Sequence, residues 1–165
     1  MTVPPTPASR AATLRTLIMA LISAPLFILV AIVFVLGGLA DATLPPLWMI
    51  VGLLLLVAGA FGIARTMEGQ LTPVPLGTDR EQAMSQSFQA FQANLFLRLA
   101  ILEAPLFIGI VVSFVVDHGP WPALIAGVPT LLALAVALWP TPSAISRAEQ
   151  RFDRAGGRSY FSEGW

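Results

Sequence analysis

The chain has 165 residues, 56% of them hydrophobic and only 11% charged, with a formal net charge of +0. A soluble domain carries about 25% charged residues, so a chain this short and this apolar cannot hide its hydrophobic side chains in a water-soluble core, and a bilayer is the expected solvent. The absence of cysteine excludes disulfides, thiolate metal centres and cysteine nucleophiles, and the balanced charge gives no reason to expect nucleic acid.

Residues 1–10 are rich in Pro and Thr, and a disordered tail is expected over residues 1–14. The first apolar run, residues 17–36, has the ~20-residue length of a bilayer-spanning helix and predicts a span over 16–37. Arg10 and Arg15 before it resemble a signal-peptide n-region. A signal h-region is only about 7–15 residues long, however, so a retained span is favoured over a cleaved signal. Residues 37–46 form a turn-rich loop.

The second span is expected over 47–65, closed by Arg65. Its Gly52, Gly59 and Gly62 lie near one face, with Ala58 and Gly62 as a small-xxx-small pair. This predicts close helix packing there. A polar loop over 66–76 follows. Thr78 and Glu81 then have capping-box spacing, and Met84, Phe88, Phe91 and Leu95 form an amphipathic stripe. One long helix over 79–116 is expected, with an extension over 79–94 and a span over 95–116. At ~1.5 Å per residue it exceeds the ~30 Å hydrocarbon core by several turns.

Residues 117–120 make a tight turn in which Asp117 and His118 read as solvated. The fourth span is expected over 122–139, between Trp121 and Trp139 at the two interfaces and kinked at Pro129. The C-terminal segment, 141–165, reads as a basic amphipathic tail with a short helix over 143–154. Arg147, Arg151 and Arg154 share one side of it and are candidate contacts for anionic lipid headgroups; Ile145, Ala148 and Phe152 share another.

All nine basic residues are arginine, which together with heavy Ala, Pro and Leu usage fits a high-GC bacterial genome. Arg10 and Arg15 precede the first span, Arg65 and Arg80 lie between the second and third, and four arginines follow the fourth. None lies in the two other loops. The positive-inside rule therefore predicts a multi-pass protein of the cytoplasmic (inner) membrane with both termini inside.

An internal repeat underlies this layout. Residues 20–35 (ALISAPLFILVAIVFV) and 100–115 (AILEAPLFIGIVVSFV) share Ala, then Ala-Pro-Leu-Phe-Ile, then Phe-Val at a shift of eighty. The fold class expected is an all-α four-transmembrane-helix bundle of two parallel helical-hairpin repeats. Where the first copy has Ser23, the second has Glu103. A carboxylate at mid-bilayer costs roughly 2.5–3.5 kcal/mol on insertion scales, so Glu103 is the leading site candidate. Pro105 frees the Ile101 carbonyl one turn away, and Ser23 and Thr130 are expected at a similar depth. Together these four residues form the candidate intramembrane polar site, either for a proton or small cation or as a hydrogen-bonded packing lock. Arg98 is expected to snorkel, being about 140° from Glu103 around the helix.

No catalytic, cofactor-binding or metal-binding motif appears, and no enzyme activity or cofactor is expected. Two functions are open: a non-enzymatic structural or accessory subunit of a membrane complex, or a small proton- or cation-handling protein using Glu103. The partners expected are the bilayer, with anionic lipid, and either a membrane protein partner or further copies of the chain in a homo-oligomer.

The segment LRLAILEAPLFIGIVVSFVV resembles the carboxylate-bearing helix of rotary ATP synthase c subunits through Glu103, Ala104, Pro105, Gly109, Val111 and Val112. It departs from that family in lacking a Gly-rich first helix, in its longer loop before the Glu helix, and in a repeat unit that begins with the Pro-containing helix. The whole chain, with its Trp-Pro and RFDRAGGRS tail, is similar to small uncharacterised four-span membrane proteins of high-GC Gram-positive bacteria. That resemblance implies a topology and no activity.

Overall fold

The computed structural model describes residues 7–40, 42–139 and 141–164. Among them the chain is all-helical: α1 (Pro7–Val35), α2 (Leu47–Met67), α3 (Arg80–Val115), α4 (Trp121–Leu138) and α5 (Pro142–Phe152), with two short 3-10 turns beyond and no strand. The first four are long and apolar enough to cross a membrane.

Local chemistry sets the helix ends. α1 already begins at Pro7, inside the tail expected to be disordered. Proline in a first turn forfeits no helical hydrogen bond, and the Ala-rich stretch after it favours helix. Residues 1–6 of that tail lie outside the described residues. α1 stops at Gly37, whose φ of 80° only glycine adopts cheaply. The Gly38 N–H bonds back to the Val33 carbonyl at 2.8 Å, which closes the helix end. The expected Thr78 cap of α3 is replaced by Asp79, whose carboxylate accepts from the Glu81 N–H at 3.3 Å; the Thr78 hydroxyl turns back to the Pro75 carbonyl.

α3 and α4 form the tightest pair. At Gly109 a Cβ would lie 2.7 Å from the Ala126 Cβ and 2.8 Å from the Pro122 carbonyl oxygen, so the helices touch backbone to backbone there. The Ser113 hydroxyl accepts from the Ala123 N–H at 2.9 Å and satisfies one of the free amides in the first turn of α4. α2 packs against both α3 and α4, while α1 packs mainly on α4 and makes little contact with α2. Leu29 of α1 reaches α4 at Gly127, where an added Cβ would meet it at 2.8 Å. The close approach expected at Gly52, Gly59 and Gly62 is not made: all three face open space, and the tight crossings fall at Gly109 and Gly127 instead.

At a shift of eighty some positions match in burial and others do not, Leu26 being exposed where Leu106 is fully buried. Pro25 and Pro105 are both buried, Leu29 and Gly109 both pack on α4 at residues 126–127, and Ser23 and Glu103 are both half-buried. The two hairpins nonetheless differ, since α3 and α4 are in intimate contact and α1 and α2 are not.

The outer surface of α1 to α4 is apolar. Phe27, Phe34, Leu55, Val111, Leu132 and Val136 are each more than half exposed. At one pole the N-terminal part of α3, α5 and the chain end build a separate core from Leu71, Val74, Met84, Phe88, Ile145, Phe152 and Phe161. The Phe161 ring is fully buried, with centroids 5.0 Å from Phe88, 5.0 Å from Phe91 and 5.4 Å from Phe152. Residues 141–164 thus form a docked cap. Ile145, Ala148 and Phe152, the apolar face of α5, are spent on this core and are not free to enter a lipid interface.

Candidate functional site

No hydrogen bond among the described residues joins the four residues expected to form an intramembrane polar site. Glu103 lies at the margin of the buried stripe of α3 (Leu95, Leu99, Leu102, Leu106, Gly109), about 80° from its centre by helix geometry. It is half-buried, and no hydrogen bond or ion pair holds its carboxyl among the described residues. The Ser23 hydroxyl donates to the Ala20 carbonyl in its own helix at 2.9 Å. Thr130 is fully buried in α4 with its hydroxyl oxygen unpartnered. Pro105 is buried in the helix packing. The hydrogen-bonded lock that Glu103 offers in the sequence is therefore not made among the described residues.

A denser polar constellation lies at the capped pole. Here the C-terminal ends of α2 and α4 converge, each with carbonyls that no helical N–H can reach and with the negative end of its dipole. Side chains from α3 and α5 meet them. Arg98 Nη2 donates to the Ala137 carbonyl in the last turn of α4 at 2.7 Å and to Glu68 Oε1 at 2.8 Å. Asn94 Nδ2 donates to the Met67 carbonyl at 3.0 Å, and Arg151 Nη1 donates to the Glu68 carbonyl. Arg65 stands 3.9 Å from the same Glu68 oxygen and covers the Phe61 ring at 5.3 Å.

Arg98 is 9% exposed, so it does not reach water as a snorkelling side chain would. It spans the interior of the pole and ties α3 to the ends of two helices. Its Nε is buried and unpartnered. Around it opens a crevice of about 70 Å³, lined by Arg65, Arg98, Arg147 and Arg151, with Glu68 as the sole acid among the lining residues. Arg147 and Arg151, expected to face headgroups, are both in this crevice; Arg154 is in the 3-10 turn after α5 and does not line it. At the opposite pole, His118 Nδ1 and Thr43 Oγ1 lie 3.1 Å apart, so the turn, exposed at Asp117, also ties the two short loops together.

Sequence reasoning missed the Arg98–Glu68 pair. The two residues are thirty positions apart, in different elements, and no periodicity links them. The available signal was the arginine itself: a cation one turn inside an apolar helix needs an anion or a helix C-terminus within reach.

No group of three or more His, Cys, Asp or Glu side chains that would hold a metal occurs among the described residues. No protein-family model, no curated protein and no solved structure matches the chain.

Proposed function

We propose that this chain is an integral protein of the cytoplasmic membrane, crossing it four times with both termini inside, and that it serves as a non-enzymatic structural or accessory subunit. One observation carries the reading. Four helices expose large apolar side chains on their outward faces, while the arginines of the loops and tail gather at one pole. A water-soluble monomer rarely exposes an apolar patch beyond a few hundred Å², so lipid is the solvent that such a surface fits.

The parallel repeat follows from this topology, because each half crosses twice and returns to the same side. The folded cap of α3, α5 and the chain end then projects into the cytoplasm and offers a rigid surface to a partner. The reading is tested on native membranes. The chain is expected to resist alkaline carbonate extraction and, in mild detergent, to co-purify with a stoichiometric membrane protein. Release by carbonate overturns the membrane reading; a chain that stays in the membrane but purifies alone, without a partner, overturns the accessory role.

The unpaired carboxyl of Glu103 favours a second reading, a proton- or cation-handling site at mid-membrane. A hydrophobic carbodiimide is expected to modify Glu103 in intact membranes if its acid form is exposed to lipid. Protection of Glu103 in membranes, lost once detergent separates subunits, assigns it to a contact between chains.

A further inference from the structure

The arginine crevice continues into a second feature. Between α2 and α4 runs an apolar groove of about 360 Å³, lined by Leu54, Ala58 and Phe61 on one wall and by Pro129, Ala133 and Val136 on the other. Val136 lines both the groove and the crevice. From Leu54 to Arg65 the α2 wall extends about 16 Å at ~1.5 Å per residue, close to the ~15 Å depth of one leaflet's hydrocarbon. Trp139, half exposed, stands at the crevice, where a bilayer places its interfacial aromatic residues.

The charges at the crevice are not all consumed within the chain. Arg151 and one end of Arg98 are held by helix carbonyls and Glu68. Arg98 Nε is left buried with no acceptor, and Arg147 makes no hydrogen bond or ion pair among the described residues. Arg65 reaches Glu68 only at 3.9 Å. A buried donor without an acceptor is costly, and a phosphate oxygen satisfies it with a charge-assisted bond. The groove discriminates between sources of phosphate, since a soluble anion leaves it empty and an acyl chain fills it.

We propose that crevice and groove are one site for an anionic phospholipid of the cytoplasmic leaflet, its phosphate among Arg65, Arg98 and Arg147 and one acyl chain between α2 and α4. The site rests on the bilayer-crossing reading given above. It makes the lipid a further tie among α2, α3, α4 and α5 at the capped pole.

The full chain, purified in mild detergent, is titrated with phosphatidylglycerol or with phosphatidylcholine, and retained lipid is read by native mass spectrometry. One phosphatidylglycerol is expected to be retained in strong preference to phosphatidylcholine. The double variant Arg65→Gln/Arg147→Gln is expected to lower phosphatidylglycerol affinity roughly ten- to thirtyfold. Ala58→Trp, which fills the groove and leaves every arginine in place, is expected to lower it as well, and excess inorganic phosphate is not expected to displace the lipid.

Equal retention of the two lipids, an unchanged affinity in either variant, or displacement by phosphate each overturns the proposal, the last by showing a site for a free anion. A chain that fails to integrate into phosphatidylcholine vesicles refutes the membrane reading. One that integrates there and shows no preference for phosphatidylglycerol refutes the lipid site alone.

Discussion

Removing the Glu68 carboxylate should do more damage than removing both members of its pair with Arg98. The Arg98 side chain is 10% exposed and that of Glu68 19%, so little solvent is at hand to replace a lost partner. Breaking a buried pair by deleting one charge costs about 3–5 kcal/mol, because the survivor is left uncompensated. Replacing both with apolar or neutral groups of similar size is often neutral. Here Arg98 keeps the Ala137 carbonyl when Glu68 is lost, which places the cost at the lower end, at about 3 kcal/mol. For a chain of this size that corresponds to a fall in Tm of roughly 6–12 °C.

The assay is a double-mutant cycle of Glu68→Gln, Arg98→Met and the two combined, followed by tryptophan fluorescence during thermal unfolding in detergent. The combined variant is expected to be more stable than Glu68→Gln alone, with a coupling of at least about 1 kcal/mol. Additive losses, or a Glu68→Gln variant that melts with the parent, would refute the assignment of the pair as the tie across this pole.

The remaining predictions concern packing. Phe161→Ala removes the ring shared by Phe88, Phe91 and Phe152 and should cost about 3–5 kcal/mol of cap stability; limited proteolysis is expected to cut segment 141–164 while α1 to α4 stay intact. Gly109→Ala is expected to lower Tm, because the added methyl meets the fixed Pro122 carbonyl at 2.8 Å. Gly59→Ala faces open space and gains helix propensity, so its Tm should hold or rise. Glu103→Gln should leave the melting curve unchanged, since no bond among the described residues depends on the charge.

Much of the helical layout was readable because a run of apolar residues about as long as the hydrocarbon is thick has few alternatives. The boundaries of α2, α3 and α4 fall within a residue or two of those expected, and the extension of α3 before its apolar part was marked by the Met84–Phe88–Phe91–Leu95 stripe. Side-chain pairing across elements was not readable. Gly52, Gly59 and Gly62 have the spacing of a packing face, yet which small residues meet a neighbour is decided by how helices cross, and that falls to Gly109 and Gly127.

The tail reads as a headgroup-facing amphipathic helix because its helix is basic. Its Tyr160 and Phe161 were the overlooked sign that it has a core to join: an aromatic pair at the end of a polar segment is poorly placed in water. Of the site, Arg147 and Arg151 were picked out as cationic contacts. The crevice that gathers them with Arg65 and Arg98 depends on two helix ends meeting, which one-dimensional periodicity does not encode.

Sidedness tests the account most directly, and the chain's lack of cysteine makes it cleanly measurable. Single cysteines at Leu44, in the loop after α1, at Leu76, in the loop before α3, and at Ser146, on α5, all replace exposed residues. In intact cells a membrane-impermeant maleimide is expected to label only Leu44→Cys, with the other two reacting once the membrane is opened. Labelling of Leu76→Cys or Ser146→Cys in intact cells, or recovery of the chain in the soluble fraction, would contradict it.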